Sequence, residues 1–292
     1  MKSPSIFQSL TSSLFGRQSA QKCDRIARCV ADFERDGYVI MRGVVDHHLI
    51  DSFWDEVAHL QKTEGELSYG LSGGVLKNRD VLDGTYTDDT SRLRIVGIEN
   101  FSAVAPSLIL HPSIADFLSA WYDNAPTCIQ SLTYRYSSQQ GAHSDKYLVS
   151  PRSVGHKYDR DSLAASWIAC EDVDEGNGSL IIYPGSHKPE KKTLKEDFEG
   201  NYTAYVSYLE NLCTNRGIET ERFTAAKGDV LIWHGDFVHA GGRILQPERT
   251  RLSLVNHYAN LTAEDPGAGL GRKKHKYPNG YIFKDEAGTS AQ

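Results

Sequence analysis

The sequence lacks a positive excess, a cysteine framework and any long apolar run, and each absence closes off a class of function. Its 292 residues carry 38 acidic and 32 basic side chains, a formal charge of -6, and its isoelectric point lies near 6.0. A chain that grips a nucleic-acid backbone presents a basic face, so nucleic acid is not an expected partner. The five cysteines (Cys23, Cys29, Cys128, Cys170 and Cys213) are odd in number, scattered, and never spaced C-x-x-C. That pattern argues against a disulfide scaffold or a structural zinc site, and for reduced thiols in a cytoplasmic protein. No stretch approaches the apolar length of a membrane span, so no membrane partner is expected. Residues 1–21 are rich in Ser and Thr and loosely resemble a transit peptide, but they hold no sustained apolar or amphipathic run and read as a flexible tail. Asn177 and Asn201 fit the glycosylation pattern, which carries no weight without a secretory signal. There is no internal repeat and no linker, so the chain reads as a single domain over 1–292.

What is present begins with a helix–strand lead-in over 22–125. Ile26, Val30 and Phe33 recur at helical spacing from about Lys22 to Asp36, and Gly37 stops the helix. Tyr38–Met41 reads as a buried strand. Asp46 is placed to cap a second helix whose apolar stripe is Leu49, Ile50, Phe53, Val57 and Leu60. Gly, Asn, Asp and Ser crowd 65–89, which reads as loops, and Arg92–Val96 as a strand. His111-Pro112 opens a further helix. From Cys128 the texture changes to short alternating strands divided by turn signals: Ile129–Tyr136, His143–Leu148, Ser162–Cys170, Ser179–Tyr183, Val230–Trp233 and Thr250–Tyr258. This is the pattern of a jelly roll, expected over 126–260 with an insertion at 188–222 that holds a helix near Tyr202–Asn215. The fold class is therefore mainly β with flanking helices. Residues 261–292 read as a C-terminal loop or lid, with the basic run Arg272–Lys276 as a solvated tail. A Gly-x-Gly-x-Gly near Gly267 lacks the helix a nucleotide loop needs.

The chemistry gathers at Gly141-Ala-His143-Ser-Asp145. Residues two apart on a strand project to one face, so His143 and Asp145 would point together into the barrel while Ser144 points out. One imidazole and one carboxylate are two members of the 2-His-1-carboxylate triad that binds Fe(II) with open positions. A second His-x-Asp, His234-Gly-Asp236, competes, with His257 as its remote partner. Spacing alone leaves both sets open.

Wider motifs decide between them by resemblance. The stretch Trp167-Ile-Ala-Cys-Glu171-Asp-Val-Asp-Glu-Gly-Asn177-Gly178 through Pro184-Gly-Ser-His187, with the Asp36-Gly-Tyr38 opening and Gly228-Asp229 through His239 to Arg251, resembles the phytanoyl-CoA dioxygenase family. The resemblance runs from about residue 30 to 260. It implies a double-stranded β-helix and an Fe(II)- and 2-oxoglutarate-dependent oxygenase. It also implies His143 and Asp145 as proximal ligands and His239 as the distal one, with His187 a structural turn residue. The cosubstrate's far carboxylate needs a bidentate, permanently charged partner, which is arginine's chemistry. Arg249 and Arg251 both fall where the family places it, and matching Arg-Thr-Arg-Leu-Ser favours Arg249. Trp167 falls where the family has a tryptophan beside the cosubstrate; otherwise it is a core aromatic. Gln130 and Tyr134, on the preceding strand, are candidate cosubstrate or substrate contacts.

By the same resemblance the reaction consumes O2 and 2-oxoglutarate and releases succinate and CO2 while a small molecule is oxidised. Related halogenases lack the carboxylate ligand, so Asp145 points to hydroxylation or a related oxidation, with a specialised metabolite as the candidate substrate. Aromatic and basic residues in the loops at 65–90 and 146–161 (Tyr69, Lys77, Arg79, Arg152 and Tyr158 among them) suit a polar or anionic substrate, or an ordinary solvated surface. Two other classes compete. A jelly-roll binding protein would not need three ligands and an arginine. A zinc hydrolase or isomerase on a cupin-like barrel would not need the arginine.

Overall fold

A computed structural model describes residues 6–71, 74–148, 163–261 and 272–285. Helix α1 (Ile6–Asp36) starts at Ile6, ahead of the expected start near Lys22, so most of the stretch read as a tail is helical. It ends at Gly37, whose φ of +84° turns the chain while its amide donates to the Phe33 carbonyl at 2.8 Å. After β1 (Tyr38–Met41), helix α2 (His47–Thr63) is capped by Asp46, whose carboxylate accepts from the His48 amide. That cap stabilises the helix by about 1 kcal/mol. Ile50, Phe53 and Val57 are its buried face, each contributing roughly 1.5–3 kcal/mol of burial.

The polar stretch expected as loops folds into a hairpin, β2 (Ser68–Leu71) and β3 (Gly74–Lys77), followed by α3 (Asn78–Leu82). Its polar side chains satisfy backbone groups there and at the end of α2. Buried Asn78 donates to the carbonyls of Gln61 and Glu64 at 3.0 and 2.9 Å and accepts from the Tyr69 hydroxyl. Then come β4 (Arg94–Val96), a 3₁₀ turn at Ile98–Asn100, α4 (Ala105–Ile109) and α5 (Pro112–Tyr122). His111 caps α5, accepting from the Ser113 amide.

The barrel follows: β5 (Thr127–Tyr134), the short α6 (Asp145–Leu148), β6 (Ala164–Ala169), β7 (Leu180–Ile182), α7 (Leu194–Asp197), α8 (Tyr202–Asn215), β8 (Glu221–Phe223), β9 (Val230–His234), β10 (His239–Gly241) and β11 (Ser253–Ala259). A last hairpin, β12 (Arg272–Tyr277) and β13 (Gly280–Asp285), stands where a loop or lid was expected. The large sheet runs β1-β9-β6-β11-β5-β4-β2-β3, with the last hairpin joined through β13 alongside β5. A small sheet, β10-β7-β8, faces it. Apart from β13 with β5, the described strand pairs are antiparallel. These two facing sheets are the double-stranded β-helix core.

The central strands of the large sheet, β6, β9 and β11, serve two layers. One face (Ile168, Val230, Ile232, Leu254) packs against α1, α2, α4 and α5. The other (Trp167, Leu231, Trp233, Val255) packs against Leu180, Ile182 and Phe223 of the small sheet. Arg272, read as part of a solvated tail, is instead three hydrogen bonds deep. It donates to the carbonyls of Ile129 and Phe283 and pairs with Glu99 at 3.2 Å, which is itself fully buried. No described helix is long and apolar enough to cross a membrane.

Candidate metal centre

His143 and His239 come together by backbone pairing. Each amide donates to the other's carbonyl at 3.0 Å, a lone bridge that adds His143 to the edge of the small sheet beside β10. The chain then leaves the extended path. Asp145 opens α6, and the Lys146 amide turns onto the Gly235 carbonyl at 2.8 Å. The strand expected over His143–Leu148 is absent, so alternation along a strand is not what aligns His143 with Asp145. The helical turn and two side-chain donors aim the carboxylate.

The outcome is a three-residue cluster. His143 Nε2 and His239 Nε2 lie 3.7 and 3.9 Å from Asp145 Oδ1. The candidate ligand atoms all lie within 4.8 Å of one another, in residues that are all buried. His143 Nδ1 sits 2.8 Å from the Gly141 carbonyl and His239 Nδ1 3.3 Å from that of Phe237. A carbonyl can only accept, so both Nδ1 atoms carry the proton and both Nε2 lone pairs are left facing the carboxylate. Burial keeps both imidazoles neutral, pushing His239 down to about 4. Burial works to raise the Asp145 carboxyl, but the hydrogen bond from His257 favours the carboxylate, and the group stays well below the usual range. Two neutral nitrogens and one carboxylate oxygen converge, the donor set that suits Fe(II).

The rival set does not converge. The His234 ring packs among Phe33, Trp121 and His187, and its Nδ1 accepts from the Asp236 amide. Asp236 pairs with Lys146 at 2.8 Å. His257 lies against Asp145 instead. His187 packs as a turn residue, its Nε2 3.1 Å from the Glu34 carbonyl.

The cluster lies in a cavity of about 350 Å³ that Gln130, Tyr134, Trp167 and Arg251 also line, with Arg94 and Gln140 in its wall. Gln130 and Tyr134 reach it because β5 alternates, and Trp167 because β6 does. Arg251 is 2% exposed, and burial pushes its guanidinium down to about 10, still a cation at neutral pH. One nitrogen donates to the Gly178 carbonyl at 3.1 Å; its Nε has no partner among the described residues. The guanidinium lies 5.7 Å from the Trp167 ring. Gly178 has φ +89°, and a Cβ there would come 2.7 Å from Ser137 and 2.8 Å from the Gly242 carbonyl, so only glycine fits the turn that offers Arg251 this carbonyl. A buried cation without an anion is costly. Arg251 thus presents a buried positive charge to the cavity.

Arg249, the arginine favoured by motif matching, is not in the cavity. It forms a two-point ion pair with Asp174, both contacts 2.9 Å, on the protein surface. The physical reason is a turn: the Arg249 amide donates to the Gln246 carbonyl, and β11 begins only at Ser253. The alternation that would align 249 with 251 does not reach that far back. The loop residues expected to meet substrate are also turned elsewhere. Tyr69 is buried against Asn78, while Lys77 and Arg79 bind Glu66. Arg152, Lys157 and Tyr158 lie outside the described residues. Sequence reasoning missed Trp233, His257 and Arg94 as neighbours of the centre. The signal for His257 was its parity with Val255 along β11, which lines the same cavity.

The family model "Phytanoyl-CoA dioxygenase (PhyH)" matches residues 33–251. The chain belongs to the phytanoyl-CoA dioxygenase family. The family is one of Fe(II)- and 2-oxoglutarate-dependent oxygenases, and the matched region holds the three-residue cluster and Arg251. The chain is similar to the peroxisomal phytanoyl-CoA dioxygenase of Mus musculus, 24% identical over 236 residues that cover 75% of this chain and 57% of that protein. The bovine (Bos taurus) protein is 26% identical over 101 residues, 34% of this chain and 29% of its own length. The chain thus spans less than two thirds of these mammalian relatives. Among solved structures, the 2-oxoglutarate-dependent epimerase SnoN of nogalamycin biosynthesis superposes with a TM-score of 0.60 at 18% identity, covering 89% of this chain and 98% of that one. EctD from S. alaskensis, solved with 2-oxoglutarate and 5-hydroxyectoine, gives 0.56 at 16% identity, covering 87% and 79%. At such identities the likeness is one of fold.

Proposed function

We propose that the chain is an Fe(II)/2-oxoglutarate-dependent dioxygenase that hydroxylates a small polar or anionic molecule. His143, Asp145 and His239 hold the iron, through the two free Nε2 lone pairs and Asp145 Oδ1. Arg251 binds the far carboxylate of 2-oxoglutarate, and the face of Trp167 closes the same wall. The observation that carries this reading is Arg251, a buried guanidinium with an unpartnered Nε in the cavity that holds the cluster. A zinc hydrolase would have no use for that cation, and a simple binding barrel no use for the neutral, converging imidazoles.

When bound, the iron and 2-oxo acid supply O2 activation coupled to decarboxylation of the acid to succinate and CO2. The chain's own residues position and shield. Gly141 and Phe237 keep the imidazole Nε2 atoms unprotonated through their carbonyls. Leu132, Leu180 and Val255 line the cavity with apolar surface. Arg94, Ser138 and Gln140 give it polar groups suited to a polar or anionic substrate.

Anaerobic addition of Fe(II) and 2-oxoglutarate tests the reading. A weak visible charge-transfer band is expected, because the acid chelates through two adjacent open positions. Arg251→Ala should raise the 2-oxoglutarate needed for half the band by at least about tenfold, the loss of a charge-assisted bidentate bond. Arg249→Ala should leave it near the wild-type value. Iron uptake without a band would favour the hydrolase reading, and no metal uptake the binding-protein reading. Once a substrate is found, a product that gains one oxygen atom supports hydroxylation. An unchanged or hydrogen-poor product would move the chain to the other outcomes this fold hosts.

A further inference from the structure

The two oxygens of the Asp145 carboxylate have different surroundings. Oδ1 faces the imidazoles of His143 and His239. Oδ2 faces the large sheet, where it accepts from Trp233 Nε1 at 2.7 Å and lies 3.3 Å from His257 Nε2. An indole N–H can only donate. His257 Nδ1 is buried without a partner among the described residues, and an orphaned donor is rarer in proteins than an orphaned acceptor. The proton therefore sits on Nε2, and His257 donates as well.

The sheet register explains how two donors reach one oxygen. Trp233 on β9 is opposite Ala165 on β6, and Ala165 is opposite His257 on β11. The three form one row across three adjacent strands, large–small–large. Strands about 4.8 Å apart would keep the indole and imidazole well separated. Ala165 leaves a gap between them, and the Asp145 carboxylate, entering from α6 on the facing side, fills it. The Trp233 indole also packs on the His239 ring, centroids 4.6 Å apart. One side chain thus braces two of the three proposed ligands.

We infer that Trp233 and His257 are positioning residues that hold Asp145 as a one-oxygen ligand, with Ala165 providing the space between them. The inference rests on the iron-site reading above. A carboxylate can bind a metal through one oxygen or two. With Oδ2 released, the second oxygen could swing onto the metal and take a position the 2-oxo acid needs. The clamp therefore affects both how tightly metal is held and how many positions stay open.

The test compares wild type with Trp233→Phe, His257→Phe, the double variant and His257→Gln, which keeps a donor at the end of its side chain. Cobalt(II) is titrated anaerobically, without cosubstrate, following affinity and visible absorption. Each Phe variant should bind cobalt about tenfold more weakly and the double variant about a hundredfold, the range seen when partners of metal ligands are removed. The absorption should weaken as the carboxylate chelates and coordination number rises. His257→Gln should recover most of the wild-type affinity and spectrum. A purely packing role would lower the melting temperature but leave affinity and spectrum unchanged, and that result overturns the clamp. So does wild-type protein that takes up no cobalt, which also ends the iron-site reading. Wild-type cobalt uptake with no iron–2-oxoglutarate band would sink the oxygenase reading alone, and the clamp would then stand or fall on the cobalt comparison. Should Trp233→Phe fail to fold, the two His257 variants carry the same contrast.

Discussion

Arg251 and Arg249 are two residues apart and have the same chemistry, yet their surroundings differ in every respect that matters. Arg249 has its anion, Asp174, and water beside it. An exposed pair of this kind is screened by solvent and contributes little, so its loss should hardly move stability. Arg251 has burial, one carbonyl and no ion pair among the described residues. The pattern Arg-Thr-Arg was legible, but the choice within it was not, because the turn at Gln246–Arg249 is set by contacts with Asp174 and Gly176 from far along the chain. Asp229, beside Gly228, makes a residue-scale prediction of its own. Its buried carboxylate accepts from Arg42 at 2.6 Å and from the amides of Gly43 and Ala226 at 2.7 and 3.0 Å. Burial works to raise this carboxyl, but those donors outweigh it and hold it below its ordinary value. A depressed carboxyl contributes stability that is complete above its unfolded value, about 3.9, and fades as pH falls through the folded one. Asp229→Asn should therefore cost about 2 kcal/mol at pH 7. In urea titrations the gap to wild type should close progressively below about pH 4. A gap that persists unchanged at low pH would rule out the charge as its source.

At the scale of elements, the insertion and the last hairpin each brace the site region in ways their composition hides. Helix α8 was expected where it stands, but its role was not. Tyr205 and Leu209 pack with Ala142 and Val238, next to two of the proposed ligands. The Tyr202 hydroxyl donates to the same Gly141 carbonyl that takes the His143 proton. The basic strand β12 looked like a solvated tail because Lys, Arg and His dominate it. Arg272 instead turns inward, and its partner Glu99 lies far back in the sequence. Arg272→Met leaves that carboxylate buried without its cation and should lower stability by about 3–5 kcal/mol. Adding Glu99→Gln should restore part of the loss. A chemical-denaturation series that finds Arg272→Met as stable as wild type would mean the hairpin is held by its strands alone.

Across the whole molecule, the proposed ligands come from different parts of the barrel, so a bound metal ties the small sheet to α6 and the large sheet behind it. Metal binds only the folded arrangement, and free metal at ~100 times Kd should add about 2.7 kcal/mol to stability. Anaerobic Mn(II) or Fe(II) should accordingly raise the melting temperature, a chelator should reverse the rise, and His143→Ala should abolish the response. An equal shift in His143→Ala would place the metal elsewhere.

By itself the sequence determined the helical lead-in, strands β5, β6, β7, β9 and β11 and the family, and it named His143, Asp145 and His239, whose side chains converge. These rest on local periodicity, turn chemistry and short motifs, which act over a few residues. Only the tertiary structure decided which arginine enters the cavity. Only it showed that Asp145 is aimed by a helical turn rather than by a strand, and that Trp233, Ala165 and His257 form one row beneath the carboxylate. Those facts depend on strand register and on where strands begin. Hydrogen bonds and burial between segments far apart in the chain, Arg251 with Arg135 and β11 with β5 among them, fix both, and no short window of sequence contains them.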